Sequence, residues 1–77
     1  MIGRRFSTRT ARVRYIEHLL STEPFRHTTA DLARISGVSY DTARRDVLLL
    51  QTELPRLAIV PDERHRLGIV MRESDAG

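Results

Sequence analysis

The fold of this chain is decided by the segment SGVSYDTARRDVLLLQTE, which occupies residues 36–53. Gly37 suits the end of a preceding helix, because glycine readily adopts the left-handed conformation common at helix C-termini. Ser39 is a favourable N-cap and Pro55 blocks further helix, so a helix is predicted over about residues 40–53. Two helices joined by so short a turn indicate a helix-turn-helix.

The apolar residues of this predicted helix recur with helical spacing and define one buried face. That stripe consists of Ala43, Val47, Leu50 and Leu54. The opposite face carries Asp41, Arg45, Leu48 and Thr52, with Arg44 on one flank and with Thr42 and Leu49 on the other. Both Leu48 and Leu49 are therefore expected to lie outside the core.

Two further helices are predicted upstream. The first spans about Thr8 to Ser21 and buries a stripe of Val13, Ile16, Leu19 and Leu20. The second begins after Thr28, whose hydroxyl can cap the helix while Asp31 reaches back to the cap residue. It ends at Ser36-Gly37, so it has room for only about two turns.

The C-terminal part of the chain has the pattern of a β-hairpin. Two β-rich runs, residues 57–60 and 66–71, flank the polar turn PDERH at residues 61–65. The predicted fold is therefore mainly α (α+β), a three-helix winged helix-turn-helix with a two-stranded hairpin as the wing. Residues 1–7 are predicted to be a basic arm, residues 8–71 the domain, and residues 72–77 a flexible tail.

The segments TADLA at residues 29–33 and VSYDTARRDVLLL at residues 38–50 resemble the DNA-binding region of DeoR-type bacterial repressors. The pattern of that family is V-S-x-x-T-I-R-R-D-L-x-x-L, from which this chain departs only in having Ala43 for Ile and Val47 for Leu. The resemblance extends over roughly residues 12–71. It implies a winged helix that reads DNA, without the sugar-phosphate-sensing domain that normally follows in this family.

Length and composition exclude many alternatives. The 77 residues allow one small domain, and the absence of cysteine excludes a disulfide framework, a cysteine nucleophile and a cysteine zinc site. His18, His27 and His65 fall in separate elements, with no metal-binding spacing, phosphate loop or nucleophile elbow. We therefore expect no enzyme activity, no cofactor and no metal. No segment has the length of a membrane span or a signal peptide, so a cytoplasmic protein is expected.

All cationic side chains are arginine, and their positions matter more than the formal net charge of +3. Residues 1–14 hold five arginines and no acid, whereas residues 15–77 hold eight arginines against ten acids. A basic surface must therefore be built locally. The absence of lysine is itself consistent with a GC-rich genome, although it also makes every cation a guanidinium capable of bidentate contacts.

Side chains on the first turns of an inserted helix read major-groove edges, and nearby cations and hydroxyls clamp phosphates. The candidates for base edges are Tyr40, Asp41 and Arg45, those for phosphates are Ser39 and Thr42, and Arg44 suits either role. For Arg44 and Arg45 the alternative is a solvated face with ion pairs to Asp41 or Asp46. Thr28 is primarily a cap, at a helix N-terminus of the kind that often faces a phosphate.

Outside this helix, Arg9 and Arg12 are candidates for a flanking phosphate or the minor groove, and Arg64 and Arg66 for contact from the wing. Asp62 and Glu63 offset most of the charge at the wing turn, so wing contact stays open. Leu48 and Leu49 suggest a partner surface, with coverage by Ile2 or Phe6 of the N-terminal segment as the alternative.

These patterns predict a sequence-specific protein that binds double-stranded DNA, a small transcriptional regulator, most simply a repressor, of bacterial or phage origin. A homodimer would suit a palindromic site, and no site for a small-molecule effector is evident. The alternative is a winged-helix module that binds another protein and no longer uses DNA. A third hypothesis is an architectural or replication role on DNA with the same fold.

Overall fold

The computed structural model describes residues 8–71 of the chain. Three helices and a small antiparallel sheet follow in the order α1 (Arg9–Thr22), β1 (His27–Thr28), α2 (Thr29–Ser36), α3 (Tyr40–Glu53), β2 (Leu57–Pro61) and β3 (Arg66–Met71). This arrangement confirms the predicted α+β class and is compatible with a winged helix. The arm at residues 1–7, with Ile2 and Phe6, and the tail at residues 72–77 lie outside the described residues.

The helix ends form as their capping residues predict. The hydroxyl of Thr28 accepts the backbone N–H of Asp31 at 3.1 Å, and the Asp31 carboxylate accepts the N–H of Thr28 at 3.0 Å. The Ser39 hydroxyl accepts the N–H of Thr42 at 3.1 Å. Between these caps, Gly37 ends α2 in the left-handed region with a φ of 73°. The turn between α2 and α3 is therefore fixed at both sides by local hydrogen bonds.

The sheet contains one strand more than the sequence predicted. Its order is β1-β3-β2, with all pairs antiparallel, so β3 lies in the middle. The additional strand β1 pairs His27 with Leu67, and in the turn before β1 the N–H of Phe25 donates to the carbonyl of Leu67 at 2.8 Å. A strand of two residues is too short to show an alternating pattern, so it could not be predicted from the sequence.

The core lies between the three helices and the inner face of the sheet. Its buried apolar cluster consists of Val13, Ile16, Leu19, Leu20, Leu32, Leu50 and Leu67. In α3 the fully buried residues are Ala43, Asp46 and Leu50, whereas Val47 and Leu54 are only partly buried. The expected exposure of Leu49 is wrong, because its side chain is partly buried and packs against the core.

Asp46 is a charged residue buried beside this apolar cluster. Its side chain is fully buried, and both carboxylate oxygens accept hydrogen bonds from Arg12 of α1, one from Nε and one from Nη2 at 3.1 Å. The Nε of Arg9 lies 3.8 Å from Oδ1 of the same carboxylate. The hydrogen bond to Asp46 also raises the pKa of the Arg12 guanidinium.

Gln51 connects α3 to the free edge of the sheet. Its Nε2 donates to the carbonyl of Leu57 at 2.7 Å, and its Oε1 accepts the N–H of Ile59 at 2.7 Å. These two backbone groups of β2 point away from β3, and the next outward position is Pro61, which has no N–H. A side-chain amide and a proline thus protect an edge that would otherwise invite pairing with another chain.

Because Asp46 forms a buried ion pair and Asp41 an exposed one, we expect their replacement by alanine to lower the stability of the protein to very different extents. Asp46→Ala leaves the guanidinium of Arg12 without a partner at a site where its side chain is only 14% exposed. We expect this change to lower the free energy of unfolding by about 3 kcal/mol in urea titrations. The control Asp41→Ala breaks an exposed ion pair and should lower the free energy of unfolding by about 1 kcal/mol or less. Equal losses in the two variants would contradict the assigned role of Asp46.

The capping box of α2 predicts a pH dependence. The backbone N–H of Thr28 is the main cause that holds the pKa of the Asp31 carboxyl below its ordinary value. Because the folded state binds this proton less readily, the contribution of Asp31 to stability is present above about pH 4 and is lost as the pH falls through the folded-state value. In Asp31→Asn this contribution no longer titrates. The stability difference between wild type and variant should therefore shrink from pH 6 to pH 2.5, and parallel curves would refute the assignment.

Candidate nucleic-acid interface

The outward face of α3 is a continuous surface of exposed side chains. It consists of Tyr40, Asp41, Arg44, Arg45, Leu48 and Thr52. At about 100° per residue, these positions span about 140° of the helix circumference. The face begins directly after the turn at Gly37, so it includes exposed side chains of the first two turns of α3, while the opposite side of these turns packs in the core through Ala43 and Asp46. A helix exposed in this way has the shape required to enter a major groove.

The two hydroxyl candidates at the start of α3 form part of its cap. The hydroxyl of Ser39 donates to the hydroxyl oxygen of Thr42 at 3.0 Å while it accepts the N–H of Thr42. The hydroxyl proton of Thr42 is not used in this arrangement, so it can be donated to an anion outside the protein. Capping and phosphate contact are therefore compatible at this pair.

The two arginines of the outward face differ in their partners. The Nη2 of Arg45 lies 3.1 Å from the Asp41 carboxylate one turn earlier, with both side chains more than 60% exposed. Such an exposed pair contributes only about 0.3–0.5 kcal/mol to the free energy of unfolding. Either side chain can therefore leave its partner and bind another ligand at little cost in free energy. Arg44 is exposed and has no ion-pair partner within residues 8–71. It is therefore the arginine most available for an external acceptor.

The structure separates the two candidate arginines of α1. Arg12 is held by the buried carboxylate of Asp46 and is only 14% exposed, so the expectation that it reaches a phosphate or the minor groove does not fit its position. Releasing it would leave a buried charge unpaired. Arg9 is 61% exposed and only loosely associated with Asp46 at 3.8 Å. Of this pair, Arg9 alone stays a candidate for contact with DNA.

The wing turn is organised by Asp62. Its Oδ1 accepts the backbone N–H groups of Arg64 at 2.8 Å and Arg66 at 2.9 Å, and its Oδ2 lies 3.1 Å from Nε of Arg66. Burial alone would raise the pKa of Asp62, but these hydrogen bonds outweigh it and lower the pKa. Asp62 and Arg66 thus neutralise each other within the turn. The side chain of Arg64 is exposed and has no partner within the described part of the chain.

This arrangement predicts that Asp62→Ala loosens the wing turn without unfolding the domain. Removal of the carboxylate takes away the acceptor for both backbone N–H groups. Amide hydrogen exchange at Arg64 and Arg66 should become several-fold faster. The amide of Ile59, which Gln51 holds, serves as the internal control and should keep its rate. Unchanged exchange at Arg64 and Arg66 would show that the carboxylate does not hold the turn.

An open groove of about 250 Å³ lies where α2, α3 and the wing meet. It is lined by Thr28, Thr29, Ala30, Tyr40, Pro61, His65 and Leu67. The first-turn N–H groups of Thr29 and Ala30 are not used by the capping box, which takes those of Thr28 and Asp31. The groove thus brings Thr28 and Tyr40 together and adds Thr29 and His65. Thr29 and His65 were not predicted from the sequence, because the three segments that form the groove are far apart along the chain.

Other kinds of site find little support in the described residues. Within residues 8–71, no group of three or more His, Asp or Glu side chains is arranged to hold a metal ion. No helix in the same part of the chain is long and apolar enough to cross a membrane. Comparisons with protein-family models, curated proteins and solved structures found no match. The geometry of the chain itself therefore carries the functional argument.

Proposed function

We propose that this protein binds double-stranded DNA in a sequence-specific manner, as a small transcriptional regulator acting in the cytoplasm of a bacterium or on a phage genome. The observation that carries the proposal is the outward face of α3, on which an exposed and unpaired Arg44 stands beside the weakly paired Asp41 and Arg45. These are the side chains that reach base edges in a major groove. The resemblance to DeoR-type repressors supports the same function.

The surroundings of α3 supply anchors for the DNA backbone on both sides. The hydroxyl of Thr42 and the first turn of α2 offer donors near the start of α3. Arg64 extends from the wing turn, and Arg9 lies near the side of α3 that faces α1. Phosphate contacts of this kind fix the register of a protein on the duplex, while base contacts provide the sequence preference.

The first test replaces Arg44, with Arg56 as the matched control. Both arginines are exposed and have no ion-pair partner within residues 8–71, but Arg56 lies beyond the C-terminal end of α3. A duplex selected from a random library with the wild-type protein serves as ligand. Arg44→Ala should weaken specific binding by about 1–3 kcal/mol and relax the preference at one base position. Arg56→Ala should bind like wild type, and equal losses in both variants would contradict the proposed role of α3.

Salt dependence tests the phosphate anchors separately. Each phosphate neutralised should contribute about −0.9 to the slope of log affinity against log salt concentration. Arg64→Ala should reduce the magnitude of that slope by about one unit while leaving the selected sequence unchanged. A slope near zero for the wild-type protein would contradict the proposed DNA binding. Equal affinity for the selected and a random duplex would instead favour the architectural role.

The alternative function is the binding of another protein by the winged helix. The observation that favours it is the exposure of Leu48, whose side chain is 55% exposed. The second residue that suggested it, Leu49, is partly buried in the core and no longer contributes. Absence of DNA binding at low salt would favour this alternative.

Homodimer formation is a prediction of the DNA-binding proposal, because two α3 helices about 34 Å apart read a palindrome. Light scattering with and without the duplex measures it.

A further inference from the structure

Leu48 occupies an unusual place on α3. It lies near the centre of the outward face, about 80° around the helix from Tyr40 and about 60° from Arg45 at the other margin. Its exposure of 55% contrasts with Leu49 and Leu50, which follow it and pack in the core. When α3 lies in a major groove, the centre of its outward face points to the base edges on the groove floor.

The neighbours of Leu48 do not form an apolar patch. Arg44 and Thr52 lie one turn before and after it, and Asp41 and Arg45 complete the surrounding face, all of them exposed. A protein interface needs a contiguous apolar area, which a single leucine among charged side chains does not provide. Within residues 8–71, the other large exposed apolar residues besides Tyr40 and Leu48 are Val70 and Met71, at the end of β3. The surface around Leu48 therefore fits a polar ligand that offers one apolar group.

The major groove offers one such group, the 5-methyl of thymine. Against any other base edge, the leucine side chain would cover a hydrogen-bond donor or acceptor without satisfying it, at a cost in binding free energy. We propose that Leu48 contacts the 5-methyl group of a thymine and makes it a specificity determinant beside the base pair contacted by Arg44. With a rise of 1.5 Å per residue, Leu48 lies about 6 Å beyond Arg44 along the axis of α3, one turn later on the same face.

This inference rests on the proposed DNA-binding function, and the removal of a single methyl group from the DNA tests it. In the duplex selected with the wild-type protein, each thymine is replaced in turn by deoxyuridine, which lacks only the 5-methyl group. Fluorescence anisotropy should show about fourfold weaker binding at one thymine per half-site, the effect of one buried methyl group. Cytosine at that position should weaken binding further, and 5-methylcytosine should recover about fourfold relative to cytosine.

The variant Leu48→Ala completes a double-mutant cycle, in which the side chain and the thymine methyl group are removed separately and together. It should bind the thymine duplex more weakly than wild type and bind thymine and deoxyuridine duplexes equally. Met71→Ala removes another exposed apolar side chain, at 78% exposure, and should keep the difference between the two duplexes. Thermal unfolding is the control for folding, since Leu48 lies on the outside of the helix.

The outcomes separate this inference from the function on which it rests. Sequence-specific binding with no sensitivity to deoxyuridine at any position, or with a sensitivity that persists in Leu48→Ala, overturns the role of Leu48 and leaves DNA binding intact. Selection that yields no preferred sequence overturns both. A change of oligomeric state in Leu48→Ala, with the deoxyuridine effect unchanged, would instead assign this residue to contact between copies of the chain.

Discussion

The buried carboxylate of Asp46 receives two N–H groups from Arg12 of α1, and the orientation of α3 depends on this contact. An ionised carboxylate is too costly to bury without such partners, and with them it anchors one side of α3 to α1. The sequence pattern predicts a buried face centred on the stripe Ala43, Val47, Leu50 and Leu54. The centre of the observed buried face, formed by Ala43, Asp46 and Leu50, lies about 40° around the helix from the predicted centre. This rotation of α3 relative to the predicted orientation determines which side chains the helix exposes to solvent.

Three features of α3 follow from that rotation. Val47 and Leu54 move toward the margin of the core and become partly exposed. Leu49 turns inward and packs against the core, while Leu48 comes to the centre of the outward face. The same contact removes Arg12 from the surface. A single ion pair in the core thus selects which leucine and which arginines a ligand of α3 would meet.

Much of this architecture could be predicted from the sequence, because it depends on local chemistry. The caps at Thr28 and Ser39, the left-handed Gly37 and the break at Pro55 fix the helix bounds through neighbouring atoms. What could not be predicted depends on contacts across the fold. Arg12 meets Asp46 and Gln51 meets β2 only after the elements pack, and β1 exists only because β3 lies beside it. For the site, the outward residues of α3 were found, but the groove beside His65 was not.

We propose that the outward face of α3 is the surface that meets DNA, and backbone amide NMR with the selected duplex tests this directly. We expect chemical-shift changes concentrated in residues 39–48, with smaller changes in residues 28–30 and 63–66. The amides of Arg14, Glu17 and Glu53, whose side chains form an ion-pair cluster toward the C-terminal end of α3, should not change. Changes centred on that cluster, or none at low salt, would contradict the account.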